Sequence, residues 1–79
     1  MSEEITTELL MECVEQVSDR EVGRDTDIFS AGIDSLAVLR CRALLKEKTG
    51  VRVPAHAFFG GRTPEGIAEK IGADHDAHR

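Results

Sequence analysis

Apolar residues recur at helical spacing in several segments of this chain, and polar, turn-forming residues separate those segments. In residues 4–17 the apolar side chains recur every four positions, on one face of a helix; they are Ile5, Leu9, Cys13 and Val17. With Thr6 or Thr7 as its cap, this segment predicts the first helix. Similar spacing predicts a second helix over residues 35–49, which ends at Gly50.

The C-terminal half carries the start signals of two further helices. Pro54 suits the first turn of a helix, and we expect a short helix from there through Phe59, broken by Gly60-Gly61. Thr63 is a suitable cap for a last helix that begins at Pro64. The apolar face of that helix consists of Ile67, Ala68 and Ile71.

These patterns predict an all-α protein, a small four-helix bundle with three main helices and one short helix. Residues 1–72 form the domain, and residues 73–79, which show no periodic pattern, form a flexible C-terminal tail. A long polar loop, residues 18–32, separates the first two helices, and such loops in compact domains are usually functional. The loop residues expected to pin it to the core are Val22, Ile28 and Phe29.

The length and charge of the chain exclude several classes of function. A domain of 79 residues buries roughly 60–65% of its unfolded surface and has no room for a deep catalytic pocket. Its 15 acidic and 10 basic residues give a net charge of −5, which argues against nucleic acid and anionic membranes as partners. An acidic balance suits docking onto basic protein surfaces. Residues 1–4 contain no apolar run of the kind that a signal peptide has, so we expect a cytoplasmic protein. We also expect it to be a monomer.

Neither the cysteines nor the histidines predict catalytic or metal chemistry. Cys13 and Cys41 both fall inside helical segments, which indicates small buried residues rather than a disulfide or a metal site. A serine nucleophile would need a neighbouring base and an oxyanion site. No pattern places such a base, because the three histidines lie near a phenylalanine pair or in the tail; they are His56, His75 and His78.

Ser35 stands where the long loop meets the second helix. It follows Gly32-Ile33-Asp34 and precedes the apolar and basic pattern of that helix. The backbone N–H groups and the macrodipole at this end of a helix favour a phosphate group. Taken alone, Asp34-Ser35-Leu36 is equally typical of a plain helix cap.

The second helix has two apolar stripes. At about 100° per residue, Val38, Cys41 and Leu45 form one arc. Three residues lie on the far side, and they are Leu36, Leu39 and Ala43. We assign the first stripe to the core and the second, with Arg40, to a partner face, because the second begins beside Ser35 and a small bundle buries only one broad stripe. The alternative is a central helix with both stripes buried.

Ser35 is one of seven landmarks in a row: Asp27-Ile28-Phe29, Gly32-Ile33-Asp34-Ser35-Leu36, Gly50, Val51-Arg52-Val53-Pro54, Phe58-Phe59, Thr63 and Ile67-Ala68. Together they resemble acyl and peptidyl carrier proteins, over residues 4–72. The resemblance implies that a phosphopantetheinyl transferase moves 4′-phosphopantetheine from coenzyme A to Ser35, with Asp34 positioning the serine or contacting the transferase. The arm then carries acyl or aminoacyl groups as thioesters. The resemblance also implies that the carrier itself is non-catalytic. Adenylating, acyl-transfer, condensation or ketosynthase, and tailoring enzymes dock on the second helix and the loop before it.

The sequence departs from the usual pattern of the family at two points. Carriers of primary fatty acid synthesis have an acidic second helix, whereas Arg40 and Arg42 make this one basic. Thr49 stands where the family usually has a bulky apolar residue, which predicts loose packing there. We expect a freestanding carrier of secondary metabolism. Gly-Ile-Asp-Ser-Leu is closer to an acyl carrier, whereas the paired phenylalanines and Thr63-Pro64 favour a peptidyl carrier. The alternatives are an unmodified helical adaptor and an acyl carrier of primary fatty acid synthesis.

Overall fold

The computed structural model describes residues 5–77, and the side chains of residues 5–72. The described backbone folds into four helices without a strand: α1 (Thr7–Ser18), α2 (Ser35–Thr49), α3 (Ala55–Gly61) and α4 (Pro64–Ala77). α4 packs against both α1 and α3, and α2 packs against α1 and, less extensively, against α3. The predicted all-α bundle, with three main helices and one short helix, is confirmed.

The start of α1 lies three residues later than predicted. Thr6 is the cap, because its hydroxyl oxygen accepts a hydrogen bond from the Leu9 N–H at 3.1 Å and its backbone is extended. At the other end the chain leaves the helix through Asp19, whose φ of 61° is left-handed.

The predicted end of α3 at Gly60-Gly61 is wrong. Both glycines lie within the helix, whose last residue is Gly61, and the chain leaves it through Arg62, which has a positive φ of 66°. The reason is helix packing. A Cβ on Gly61 would lie 2.5 Å from the Ile67 backbone nitrogen, so the missing side chain lets α3 and α4 approach each other.

α4 begins as predicted but extends further. Thr63 accepts a hydrogen bond from the Gly66 N–H at 2.9 Å, and Pro64 is the first helical residue. The backbone stays helical through Ala77, although the apolar pattern ends at Gly72. Each added residue of an established helix gains a backbone hydrogen bond, with or without an apolar side chain. The division into a domain and a flexible tail stays a prediction, and residues 78–79 lie outside the described residues.

The core lies where the four helices and the long loop meet. Its largest fully buried side chains come from every element: Phe58, Leu10, Ile28, Leu45, Ile67, Val14, Val38 and Val53. The predicted loop anchors Val22 and Ile28 are buried, and Phe29 is half-buried. Ile33 is a further buried loop residue that the sequence pattern did not indicate.

Thr49 is packed and hydrogen-bonded at the end of α2, where loose packing was expected. Its side chain is buried, its hydroxyl donates to the Leu45 carbonyl at 2.7 Å and the same oxygen accepts from the Val51 N–H at 3.0 Å. The threonine is therefore tolerated in the core because both hydrogen-bonding roles of its hydroxyl are used.

Candidate functional site

Ser35 is the first residue of α2, and Asp34 is the cap of that helix. The Asp34 carboxylate accepts a hydrogen bond from the Ala37 N–H at 2.9 Å, and its carbonyl accepts from the Val38 N–H at 2.9 Å. Because Asp34 takes the capping role, the Ser35 hydroxyl is not used for it, and Ser35 is exposed. The plain-cap interpretation therefore applies to Asp34.

The electrostatics around Ser35 favour an anion. The first N–H groups of a helix have no partner within the helix. Here Asp34 accepts from Ala37, so the N–H groups of Ser35 and Leu36 remain at the positive end of α2. A phosphate ester on the Ser35 oxygen would lie beside these groups.

The loop before Ser35 is a compact hydrogen-bonded turn. The Ala31 N–H donates to the Asp27 carbonyl at 3.2 Å, and the Ile33 N–H donates to the Ile28 carbonyl at 3.0 Å. Gly32 has φ of 103°, a conformation that side chains rarely adopt, and it returns the chain to the start of α2. Since Ile28 and Ile33 are buried, Ser35 is presented by an anchored segment.

Arg62, at the end of α3, binds this turn through side-chain and backbone hydrogen bonds. Its Nη2 and Nε donate to one carboxylate oxygen of Asp27 at 2.7 and 3.1 Å, and its carbonyl accepts from the Ile28 N–H at 2.8 Å. The other Asp27 oxygen accepts from the Phe29 N–H at 3.0 Å. The Arg62 guanidinium, followed by the Phe29 amide, holds the pKa of the Asp27 carboxyl below its ordinary value. Sequence reasoning missed Arg62, because no local pattern links positions so far apart.

An aromatic contact also connects this turn to α3. The rings of Phe29 and Phe59 stack with centroids 5.3 Å apart and planes 11° apart. The Arg62 guanidinium carbon lies 5.2 Å from the centre of the Phe29 ring. Within the Phe58-Phe59 pair, Phe58 is buried, whereas Phe59 is 48% exposed and stacks on Phe29 of the loop.

The two stripes of α2 separate as predicted. Val38, Cys41 and Leu45 are buried, which confirms their assignment to the core. On the other stripe Leu36 is 61% exposed and Leu39 is 53% exposed. Ala43 and Arg40 are exposed as well. The alternative of a fully buried α2 is therefore wrong, and the role of the exposed stripe in partner binding stays a prediction.

The remaining candidate groups do not join Ser35. Cys13 and Cys41 are free and buried in the core. Burial raises the pKa of the Cys13 thiol, and burial together with the neighbouring Cys13 raises the pKa of Cys41 to about 12. Among the described residues, no three His, Cys, Asp or Glu side chains are grouped as metal ligands would be. His56 lies in α3, whereas the side chain of His75 and all of His78 lie outside the described residues.

A small helical bundle that presents a serine at the start of its second helix has the architecture of a carrier domain. The family model for the phosphopantetheine attachment site matches residues 8–71, which is most of the chain. The chain belongs to this family, and the predicted resemblance is confirmed. No curated protein matches the chain.

Membership establishes the class of function. The domain is a site of covalent 4′-phosphopantetheine attachment, and the protein is a phosphopantetheine-carrying carrier, so the predicted cofactor is confirmed. Carrier domains are generally non-catalytic and work with a phosphopantetheinyl transferase and partner enzymes. In the described part of the chain, no helix has the length and apolar character that a bilayer crossing requires.

Proposed function

We propose that Ser35 is the attachment point of 4′-phosphopantetheine. The loaded protein then holds acyl, aminoacyl or peptidyl intermediates as thioesters and presents them to partner enzymes. The observation that carries this proposal is that Asp34 and Ser35 have different roles at the start of α2. Asp34 caps the helix, which leaves the neighbouring Ser35 hydroxyl exposed and free of the capping role.

The residues at this site suit a phosphodiester. The N–H groups of Ser35 and Leu36 belong to the first turn of α2, where the helix dipole favours the negative charge of an ester on the serine oxygen. Asp34 positions the serine by capping the helix and accepting the Ala37 N–H. Gly32, with its φ of 103°, returns the chain to the start of α2 and so helps to present Ser35. When attached, the arm supplies a terminal thiol that holds its cargo as a thioester.

The proposed partner face consists of Leu36, Leu39, Arg40 and Ala43. Its two leucines are more than half exposed although both are large and apolar. Covering such side chains in a complex removes apolar surface from water, which favours association. The face begins one residue after Ser35, so an enzyme docked there lies next to the attachment point. Tethering then replaces diffusion with a high effective concentration of cargo.

The proposed context is secondary metabolism, in a peptidyl or polyketide pathway, as a cytoplasmic monomer. Support comes from the charge of α2, where Arg40 and Arg42 occur within two turns of Ser35. Enzymes that read an acidic carrier helix would meet like charges here. The adaptor alternative is disfavoured by the family match and by the exposed serine.

The test is the intact mass of the protein after incubation with coenzyme A, Mg²⁺ and a broad-specificity phosphopantetheinyl transferase. The wild type is expected to gain one phosphopantetheine, and Ser35→Ala none. Ser30→Ala is the matched control, because Ser30 is an exposed serine of the loop that precedes Ser35. No gain in folded wild type would favour the unmodified adaptor, and a gain in Ser35→Ala would place the attachment elsewhere.

A further inference from the structure

A groove of about 290 Å³ lies between α2 and the segment that connects α2 to α3. It is lined by Leu39, Arg42, Ala43, Lys46, Arg52 and Val53. Half of these residues are apolar and half are cationic, so the groove combines an apolar lining with concentrated positive charge. It also shares Leu39 and Ala43 with the proposed partner face.

The positive charge of the groove runs against the charge of the whole chain. The net charge is −5, yet the groove-lining residues, all within the described part of the chain, include three cations and no carboxylate. Lys48, in the last turn of α2, offers a contrast, because it lies outside the groove with its ammonium 3.9 Å from a Glu12 carboxylate oxygen. The positive charge of the groove therefore comes from Arg42 and Lys46 of α2 together with Arg52 of the connecting segment.

Arg42 lines the groove and is held in place by a hydrogen bond. Its Nε donates to the Val53 carbonyl at 2.6 Å, which holds the guanidinium against the connecting segment. A guanidinium has five N–H donors in a planar fork, so the remaining donors of Arg42 can bind a carboxylate. Lys46 lies one helical turn further along the same face, and both Lys46 and Arg52 are exposed.

We infer that this groove binds a segment of a partner enzyme that carries carboxylates beside an apolar anchor. The inference deepens the proposed function and rests on it, because the groove continues the partner face that begins beside Ser35. The chemistry of the groove indicates its occupant. Its three cations can pair with carboxylates of a partner, and its apolar residues can contact an aliphatic side chain. A long polyanion such as RNA would be repelled by the acidic remainder of the chain.

The test is an NMR titration of the ¹⁵N-labelled protein, loaded and unloaded, at low salt. The probe is an amphipathic peptide of leucine and glutamate, and the matched control peptide has glutamine in place of every glutamate. We expect shift changes at Leu39, Ala43, Lys46 and Arg52, with roughly tenfold tighter binding of the acidic peptide. Lys46→Glu/Arg52→Glu should abolish that preference. The control variant Arg20→Glu/Lys70→Glu, which reverses two exposed charges outside the groove, should retain it.

Each other outcome overturns the inference. Equal binding of the two peptides would show that the groove does not select carboxylates, and equal binding of a single-stranded oligonucleotide would show a general polyanion surface. Concentration-dependent shifts without peptide would indicate a second copy of the chain as the occupant. Shifts in the groove on loading alone would indicate the arm or its cargo. Intact-mass loading of the wild type tests the attachment at Ser35 separately, since that reaction requires no peptide.

Discussion

Arg62 donates two hydrogen bonds to a single carboxylate oxygen of Asp27, a residue 35 positions earlier in the chain. This contact joins the end of α3 to the turn that precedes Ser35. The Ile28 N–H donates to the Arg62 carbonyl at 2.8 Å, so the backbone of the turn is attached at the same corner. The position of the proposed attachment serine therefore depends on a residue remote from its motif.

Arg62→Ala should loosen the turn without unfolding the bundle. The variant loses the hydrogen bonds to Asp27 and the contact with the Phe29 ring, whereas the helix core is untouched. We expect several-fold faster amide exchange at Ile33 and slower loading by the transferase, with the same final stoichiometry. Arg20→Ala, in an exposed part of the long loop, is the control. Unchanged exchange at Ile33 would contradict this role of Arg62.

The Asp27–Arg62 pair should make stability depend on pH in the acidic range. The folded-state pKa of Asp27 lies below the ordinary value of 3.8, so the unfolded chain binds the proton more readily. The contribution is complete above about pH 5 and is lost as the pH falls through the folded pKa. In urea unfolding, the stability difference between wild type and Asp27→Asn should be constant from about pH 7 to 5 and shrink below about pH 4. A difference that does not change with pH would argue against the pair.

Gly61→Ala should destabilise the contact between α3 and α4. The new Cβ would lie 2.5 Å from the Ile67 nitrogen and 2.6 Å from the Gly66 carbonyl carbon, and backbone atoms cannot move aside as a side chain can. We expect a loss of about 1–3 kcal/mol in the free energy of unfolding. Gly72→Ala is the matched control, because that helical glycine has open space around it and should gain about 0.5–1 kcal/mol. Equal effects of the two changes would rule out the close approach.

Leu39→Asp should weaken partner binding while the fold is kept. Leu39 is 53% exposed, so the charge stays in water in the free protein and is buried only in a complex. We expect kcat/KM of the transferase, and of the cognate loading enzyme, to fall by roughly tenfold or more. Gln16→Asp places the same charge on an exposed site of α1 and should have no effect. Unchanged kinetics in a folded Leu39→Asp variant would exclude this face.

The two cysteines should be unreactive until the protein unfolds. Both thiols are buried, and burial raises the pKa of Cys41 to about 12, so the nucleophilic thiolate is scarce at neutral pH. An Ellman assay of the native unloaded protein should detect no thiol, and denaturation should expose both. After loading, the native protein should show one thiol, supplied by the arm. Rapid reaction of the native unloaded protein would show that the core opens readily.

Local chemistry made much of this fold predictable from the sequence. Thr6 and Thr63 cap helices through hydrogen bonds that span three residues, and Gly50 ends α2 with a left-handed φ of 79°. Helical spacing also separated the stripe of Val38 from that of Leu39, and the nearness of the second stripe to Ser35 assigned Leu39 to the surface, where it lies. These features were predictable because caps, turns and the period of a helix depend on residues only a few positions apart.

Contacts between distant residues were decided only by the tertiary structure. Arg62 meets Asp27, and Gly61 meets Ile67, because the packing of helices brings together groups that no local pattern relates. The same holds for the cationic groove, where Arg52 joins two cations of α2 only after the connecting segment folds back. The sequence by itself thus determined the helices and the serine that begins α2. Tertiary packing decided how that serine is held and which charges surround its partner face.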